Sequence, residues 1–224
     1  MIVSNWMQPD PITIASDTSV VEAQRLVSEN DLRILCVVDE GRLRGVLTRK
    51  NLNEAAQCVA RTQNIHEVEY FVNRLKVKDL MNRMVKTVDA KDTVERVMLR
   101  GRRESVSTFP VMKEGKLVGL VSELEIFNSM IEVLGAEEHL QGLSLEPVEI
   151  EPGLLGRIAA LSEGAGARLE ALFTTRVEGT TKKKIILRFE TDDLDRVKAS
   201  LERAGYKVFE AEADTGAAKN NHRS

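Results

Sequence analysis

The stretch Gly41-Arg-Leu-Arg-Gly-Val-Leu-Thr-Arg-Lys-Asn-Leu52 occurs twice. It returns 74 residues later as Gly115-Lys-Leu-Val-Gly-Leu-Val-Ser-Glu-Leu-Glu-Ile126. Gly41, Leu43 and Gly45 recur as Gly115, Leu117 and Gly119, and Thr48 recurs as another hydroxyl, Ser122. Each copy reads as a turn, a short apolar strand and a helix start. The first glycine permits the positive φ of a tight turn. Val46-Leu47 and Leu120-Val121 make the strand, and Thr48 and Ser122 stand at N-cap positions ahead of Leu52 and Ile126. A strand feeding a helix N-terminus gathers backbone N–H groups and a hydroxyl at one spot, which suits an anion. The plainer reading is that the hydroxyls only cap helices.

The repeat extends outward from this stretch. Residues 3–56 align on 77–130 without a gap, and Val3, Met7, Thr13, Val20, Val37 and Glu40 recur as Val77, Met81, Thr87, Val94, Val111 and Glu114. A constant offset of this kind marks a duplicated structural unit. Each copy opens with a short strand, around Ile12–Ile14 or Lys86–Val88. Thr18-Ser19 and Asp92-Thr93 are cap candidates, with Glu22 and Glu95 at capping-box spacing. Val20, Ala23, Leu26 and Val27 then lie on one helix face, as do Val94, Val97 and Met98. Ile34–Val38 and Phe109–Met112 follow as strands, joined to the next strands through turns at Asp39–Arg42 and Lys113–Lys116. Ile65, Val68, Val72 and Leu75 make a helical stripe between the copies, so 61–76 reads as a helical connector. Its His66 has no metal-ligating company.

A different pattern begins after the second copy. Ile126–Leu134 reads as a helix stopped at Gly135, and Ala136–Gly142 as a linker. Leu143–Ile150 is strand-like, and Pro152-Gly153 is a turn. Leu154–Leu161 forms a helix broken at Gly164 and Gly166. Arg168–Val177 and Lys183–Phe189 pair as a hairpin. Asp192 or Asp193 caps a helix carrying Leu194, Val197, Leu201 and Ala204, and Tyr206–Phe209 is a last strand. The order strand, helix, strand, strand, helix, strand is the split βαβ pattern of a ferredoxin-like domain.

Composition bounds the function. The chain has 224 residues, 42% hydrophobic and 30% charged, with net charge −3. That is an ordinary globular mix with no basic footprint for nucleic acid and no apolar run long enough for a membrane span. The N-terminus has no signal-peptide pattern. Cys36 and Cys58 make no disulfide framework, and Cys36 reads as a buried thiol. These features fit a cytoplasmic protein. No Gly-x-Ser-x-Gly, P-loop or metal motif is present, so the expectation is a non-enzyme with no catalytic cofactor.

Residues 3–130 resemble a tandem pair of cystathionine-β-synthase (CBS) domains. The likeness rests on the Thr-Ile and Thr-Val first strands, Phe109-Pro-Val-Met112 and the doubled Gly-apolar-apolar-Thr/Ser element. The connector Ile65–Met81 resembles that of acetoin-utilisation-type (AcuB-type) CBS proteins of bacteria, in which an ACT domain often follows. Residues 143–213 resemble one. The expected fold class is α+β: CBS domains at 1–60 and 77–135, a helical connector at 61–76, a ferredoxin-like ACT domain at 143–213 and a disordered tail at 214–224.

The resemblance implies regulation by an adenosine-containing ligand, AMP, ADP, ATP or NAD, held in clefts between the copies. Thr13, Ile14, Ile34, Val46, Thr48 and Asn51 would contribute from the first copy, and Thr87, Val88, Thr108, Leu120, Ser122 and Glu125 from the second. The family motif Gly-x-x-Thr/Ser-x-x-Asp keeps its hydroxyl here, but its ribose-binding Asp is replaced by Asn51 and Glu125. Asn51 exchanges a charge-assisted hydrogen bond for a neutral one, a loss of roughly 1 kcal/mol, or about five- to tenfold in affinity. Arg49 and Lys50 follow Thr48 and favour phosphate there, whereas Glu123 follows Ser122 and opposes it. The ACT resemblance implies an amino-acid effector near Gly153 and Arg168, or dimerisation alone. Expected partners are therefore an adenine nucleotide, an amino acid, a second copy of the chain and a regulated enzyme, with neither nucleic acid nor membrane. The alternative is an interaction module that binds no ligand and docks on a metabolic enzyme.

Overall fold

The computed structural model describes residues 1–60, 74–135 and 140–212. They fall into two units, Met1–Phe127 and Asn128–Ser224. The expected stripe Ile65–Val72, residues 136–139 of the expected linker and the 214–224 tail lie outside the described residues.

In the first unit a one-turn 3-10 segment, Val3–Asn5, leads into β1 (Gln8–Pro9) and β2 (Thr13–Ile14). Next come α1 (Val20–Glu29), β3 (Ile34–Asp39), β4 (Arg42–Thr48) and α2 (Arg49–Ala60). The second copy repeats this as α3 (Val77–Leu80), β5 (Val88–Asp89), α4 (Val94–Glu104), β6 (Thr108–Lys113), β7 (Lys116–Ser122) and α5 (Glu123–Val133).

Both hairpins close in two residues, with Asp39 opposite Arg42 and Lys113 opposite Lys116. Glu40 and Gly41 have φ of 52° and 75°, and Glu114 and Gly115 have 52° and 78°. Two central residues at positive φ make a type I′ turn, whose twist matches the flanking strands. Both copies also carry a register shift at one place, after Val37 and after Val111. In each copy a helix crosses from a short strand to a parallel neighbour, β2 beside β3 and β5 beside β6. Helix α1 buries Val20, Ala23 and Val27, and α4 buries Val94 and Val97. Ser19 caps α1 by accepting from Glu22 N at 3.2 Å. Thr93 caps α4 through Arg96 N, so the expected Asp92–Glu95 box does not form. Asp92 instead accepts from Asp89 N, and Glu95 holds the chain's amino terminus.

The leading segment of each copy packs on the other copy. Val3, fully buried, joins Val88, Val94 and Phe109, and its N–H donates to Asp92 O at 2.9 Å. Val77, also fully buried, joins Val20 and Leu47, and its N–H donates to Thr18 O at 2.9 Å. Strand β1 adds to the edge of β7, Gln8 opposite Leu120, while Asn82 exchanges hydrogen bonds with Val46. The second glycine of the repeated motif follows from this. A Cβ on Gly45 would stand 2.9 Å from Asn82 O, and one on Gly119 would stand 2.8 Å from Gln8 O. Only glycine lets the crossing backbone lie that close.

The second unit contains β8 (Gln141–Val148), α6 (Leu154–Gly164), β9 (Arg168–Arg176), β10 (Lys183–Glu190), α7 (Leu194–Arg203) and β11 (Val208–Glu212). Its sheet is antiparallel in the order β11-β8-β10-β9, the ferredoxin-like arrangement. Leu143, Leu145, Ile185, Leu187 and Phe189 form a core with Ile158 of α6 and Val197 and Leu201 of α7. The first strand starts at Gln141, two residues before the expected Leu143. The Gln141 amide donates to Thr191 O and accepts from Thr191 N, both at 2.9 Å, which ties it to the end of β10. The last strand starts at Val208, beyond the expected Tyr206, because Tyr206 N donates to Leu201 O and closes α7. Asp193, of the two expected candidates, caps that helix. Among the described residues no helix is long and apolar enough to cross a membrane.

Candidate ligand-binding cleft

The two copies in the first unit meet along a buried apolar seam. Cys36 and Val46 of the first lie against Leu120 of the second, with Ile34, Val85 and Leu117 packed around them. Burial pushes the Cys36 thiol up to about 12, so it is protonated and unreactive at neutral pH. Beside this seam opens a cleft of about 300 Å³ bounded by both copies. Ile34, Val46, Val85, Val106 and Pro110 supply apolar walls. Thr48, Asn82, Ser105, Ser107 and Thr108 supply hydrogen-bonding groups. Among the described residues the only charged ones lining it are Arg33 and Lys86. Such a cleft can enclose a planar apolar ring and offer hydroxyls and cations to an anionic group.

Thr48 ends β4 and caps α2. Its Oγ1 accepts from Asn51 N at 3.2 Å, while Asn51 Oδ1 accepts from Thr48 N at 3.0 Å and from the Thr48 hydroxyl at 2.7 Å. Ser122 does the same for α5. Its Oγ accepts from Leu124 N at 3.1 Å, and Glu125 Oε2 accepts from Ser122 N at 2.7 Å and from the Ser122 hydroxyl. Both hydroxyls are helix caps, and both positions of the expected ribose-binding acid turn back onto them, Asn51 in a reciprocal box with Thr48 and Glu125 by accepting from Ser122. Thr48 is at once a cap and part of the cleft wall.

Of the residues expected at the clefts, Ile34, Val46, Thr48 and Thr108 come together in this one. Leu120 lies in the adjoining seam. Ile14 and Val88 point into the cores of their own copies, at 7% and 3% exposure. Thr13 pairs with Cys36 on the short parallel strand, and Thr87 gives its carbonyl to Arg100 at 2.7 Å. Asn51, Ser122 and Glu125 do not line this cleft.

The cations near Thr48 in sequence are not its neighbours in space. Arg49 Nε donates to Leu32 O at 2.7 Å, and its guanidinium pairs with Asp31. Lys50 points to Glu54 at 3.8 Å, with its side chain 82% exposed. Helix α2 turns both away from the cleft, because residues one and two beyond a cap lie on other helix faces. The structure supplies Arg33 and Lys86 in their place. Lys86 lies two residues before β5 and reaches the cleft only through the fold. It pairs with Glu104 at 3.1 Å, where Arg100 and Arg103 also pair at 3.1 and 3.3 Å. These cations, Lys86 foremost, hold the Glu104 carboxyl down at about 2.

In the second unit Gly153 takes φ of 81° immediately before α6, with open space where a Cβ would stand. Arg168 opens β9 and pairs with Glu170 at 3.0 Å and Glu190 at 2.8 Å.

A family model described as CBS domain matches residues 3–57 and 77–132. A CBS domain-containing protein of Dictyostelium discoideum is 26% identical over 136 residues, which cover 60% of this chain and 94% of that protein. Among solved structures, an acetoin utilization protein (AcuB) of Vibrio cholerae aligns with a TM-score of 0.52 at 19% identity, over 62% of this chain and 96% of that one. CBSX2 in complex with AMP aligns with a TM-score of 0.51 at 20% identity, over 59% of this chain and 98% of that one. At these identities the two structural likenesses speak to the fold alone.

Proposed function

Because residues 3–57 and 77–132 are a tandem pair of CBS domains, we propose that this chain is a non-catalytic regulatory protein whose pair binds an adenosine-containing nucleotide. The observation that carries the reading is the cleft formed jointly by the two copies, with apolar walls, hydroxyls and cations. An adenine ring would lie between Ile34, Val46 and Pro110, and the phosphate would lie toward Thr48. CBSX2, a chain of this fold, was solved with AMP. A ligand that bridges both copies stabilises whichever relative placement of the two it fits, which is how occupancy becomes a signal. The ferredoxin-like unit at 143–213 serves in this reading as an ACT domain that dimerises the chain or takes an effector near Gly153 and Arg168.

Thermal melting tests the reading. A ligand at one hundred times its dissociation constant stabilises the folded state by about 2.7 kcal/mol. For a chain of this size that raises Tm by roughly 5–10 °C. AMP, ADP, ATP and NAD are the probes. Thr48→Val lowers the unliganded Tm through its lost cap and also removes most of the ligand-induced rise. If none of the four shifts the melt at millimolar concentration, and the purified protein carries no bound nucleotide, the sensing reading fails.

One observation favours the second reading, an interaction module without a ligand. Asn51 and Glu125 spend their side-chain acceptors on helix caps, not on the cleft. A cooperative melt whose Tm none of the four nucleotides shifts would select it.

A further inference from the structure

The two copies share a backbone plan but not a charge pattern. Under the offset of 74 residues, every residue lining the cleft has a counterpart that would line the reciprocal cleft at Ser122. Lys86 corresponds to Ile12, Met84 to Asp10, and Ser105 to Asp31. Arg33 and Ser107 exchange places, so Arg33 belongs to both sets. Among the described residues the observed cleft is therefore lined by two cations and no carboxylate, whereas its counterpart set has one cation, Arg33, and two carboxylates, Asp10 and Asp31, the latter paired with Arg49. The caps add to the difference, since Asn51 is neutral and Glu125 is an acid.

The asymmetry continues behind the cleft. Lys86 sits in a network with Glu104, Arg100 and Arg103. The corresponding residues of the first copy are Ile12, Asn30, Leu26 and Glu29, which cannot form such a network. Three cations share one carboxylate there, so Lys86 can give its ammonium to a phosphate without leaving Glu104 unpaired. Opposite charge within a few ångströms favours an anion, and like charge refuses it.

We propose that Lys86, with Arg33, reads the phosphate of a nucleotide in the Thr48 cleft, and that the reciprocal cleft refuses phosphate, so that each chain takes one phosphorylated ligand. The inference rests on the reading of the cleft as a nucleotide site. It assigns roles to two residues that the repeated motif does not contain. It also makes the pair directional, since one of two similar pockets is coded for an anion.

The test is titration calorimetry of the full chain with AMP and with adenosine, which lacks the phosphate. The wild type binds one AMP per chain, more tightly than adenosine, and the preference shrinks as salt rises. Arg33→Ser and Lys86→Ile, the residues found at the counterpart positions, each weaken AMP binding roughly tenfold. Both variants keep the affinity for adenosine within about twofold, so the loss falls on the phosphate contact. Lys86→Arg, which keeps the charge, retains AMP binding and guards against a folding defect in Lys86→Ile. Two AMP per chain, or AMP bound no better than adenosine, would overturn the inference while leaving the nucleotide reading intact. So would an unchanged AMP affinity in Lys86→Ile. Failure of both AMP and adenosine to bind the wild type overturns the nucleotide reading and the inference together.

Discussion

The first and second CBS copies are nearly the same object in backbone and different objects in side chains. Their hairpins close with the same pair of positive φ values, their sheets slip register at the same step, and each lends its leading segment to the other. Yet Leu35 stands where Phe109 stands, Cys36 where Pro110 stands, and Ile12 where Lys86 stands. Backbone geometry is set by a few positions, the turn glycine, the crossing glycine and the buried valines, and these are held in both copies. The remaining positions, whether in the core, at the cleft or on the surface, are freer of that constraint, and there the copies have parted. Duplication kept the scaffold and let the side chains around it diverge.

The largest expected effects test whether the cores are as alike as the backbones. Phe109 is 2% exposed and its counterpart Leu35 is fully buried. Phe109→Ala should cost about 3–5 kcal/mol and Leu35→Ala about 2–5 kcal/mol, since each leaves a cavity that the sheet cannot close. Because each core contains the other copy's leading segment, both losses should appear in one cooperative melt of the CBS pair. Two separate transitions, one moved by each substitution, would break the comparison.

A smaller effect isolates the crossing itself. Replacing glycine by alanine often stabilises a chain by restricting the unfolded state. At Gly45 and Gly119 the sign should reverse. The new Cβ would meet a backbone carbonyl at 2.9 and 2.8 Å, and a methionine sulfur at 2.8 and 2.5 Å. Methionine can move aside, but the carbonyl is pinned in a strand-edge hydrogen bond. Each substitution should cost about 1–3 kcal/mol, and the two should agree within about 1 kcal/mol. Chemical denaturation of both variants measures this. A stabilised Gly45→Ala beside a destabilised Gly119→Ala would show that the crossings are unequal.

Much of this was legible in the sequence because the duplication doubles weak signals. Gly41 and Gly115 predicted the turn, the 3.6-residue spacing from Val20 and Val94 predicted the packed helices, and the second unit's element order predicted its sheet. The crossing was not legible. Val3 and Val77 recur at the right offset, but one-dimensional pattern does not say which copy's core a valine enters. Of the residues lining the candidate cleft, Thr48 and Thr108 were named from the sequence, and the cations Arg33 and Lys86 were not. Arg49 and Lys50 are adjacent to Thr48 along the chain, but a helix turns successive side chains about 100° apart. Lys86 lies 38 positions from Thr48 and reaches it through tertiary structure. The one available signal was the comparison of Lys86 with Ile12, a charge appearing at a position that is apolar in the sister copy.

The smallest effect separates the copies by pH. Glu104 holds Lys86, Arg100 and Arg103, which depress its carboxyl from 4.5 to about 2. A depressed acid binds fewer protons in the folded state than in the unfolded one, so folding stability rises with pH across that interval. The contribution from Glu104 is fully present above about pH 5, fades as pH falls through 4.5, and is gone below about 2. Its counterpart Asn30 does not titrate. Instead its side-chain amide donates to Leu26 O at 3.0 Å, ending α1 by a neutral hydrogen bond. Glu104→Gln should therefore melt below the wild type at pH 7 and converge on it as the pH falls from about 5 toward 2. Asn30→Ala, by contrast, should show an offset independent of pH. Melting curves at several pH values distinguish the two. A gap between wild type and Glu104→Gln that stays constant with pH would mean that the three cations do not depress this carboxyl. Lys86 would then be held only weakly by Glu104.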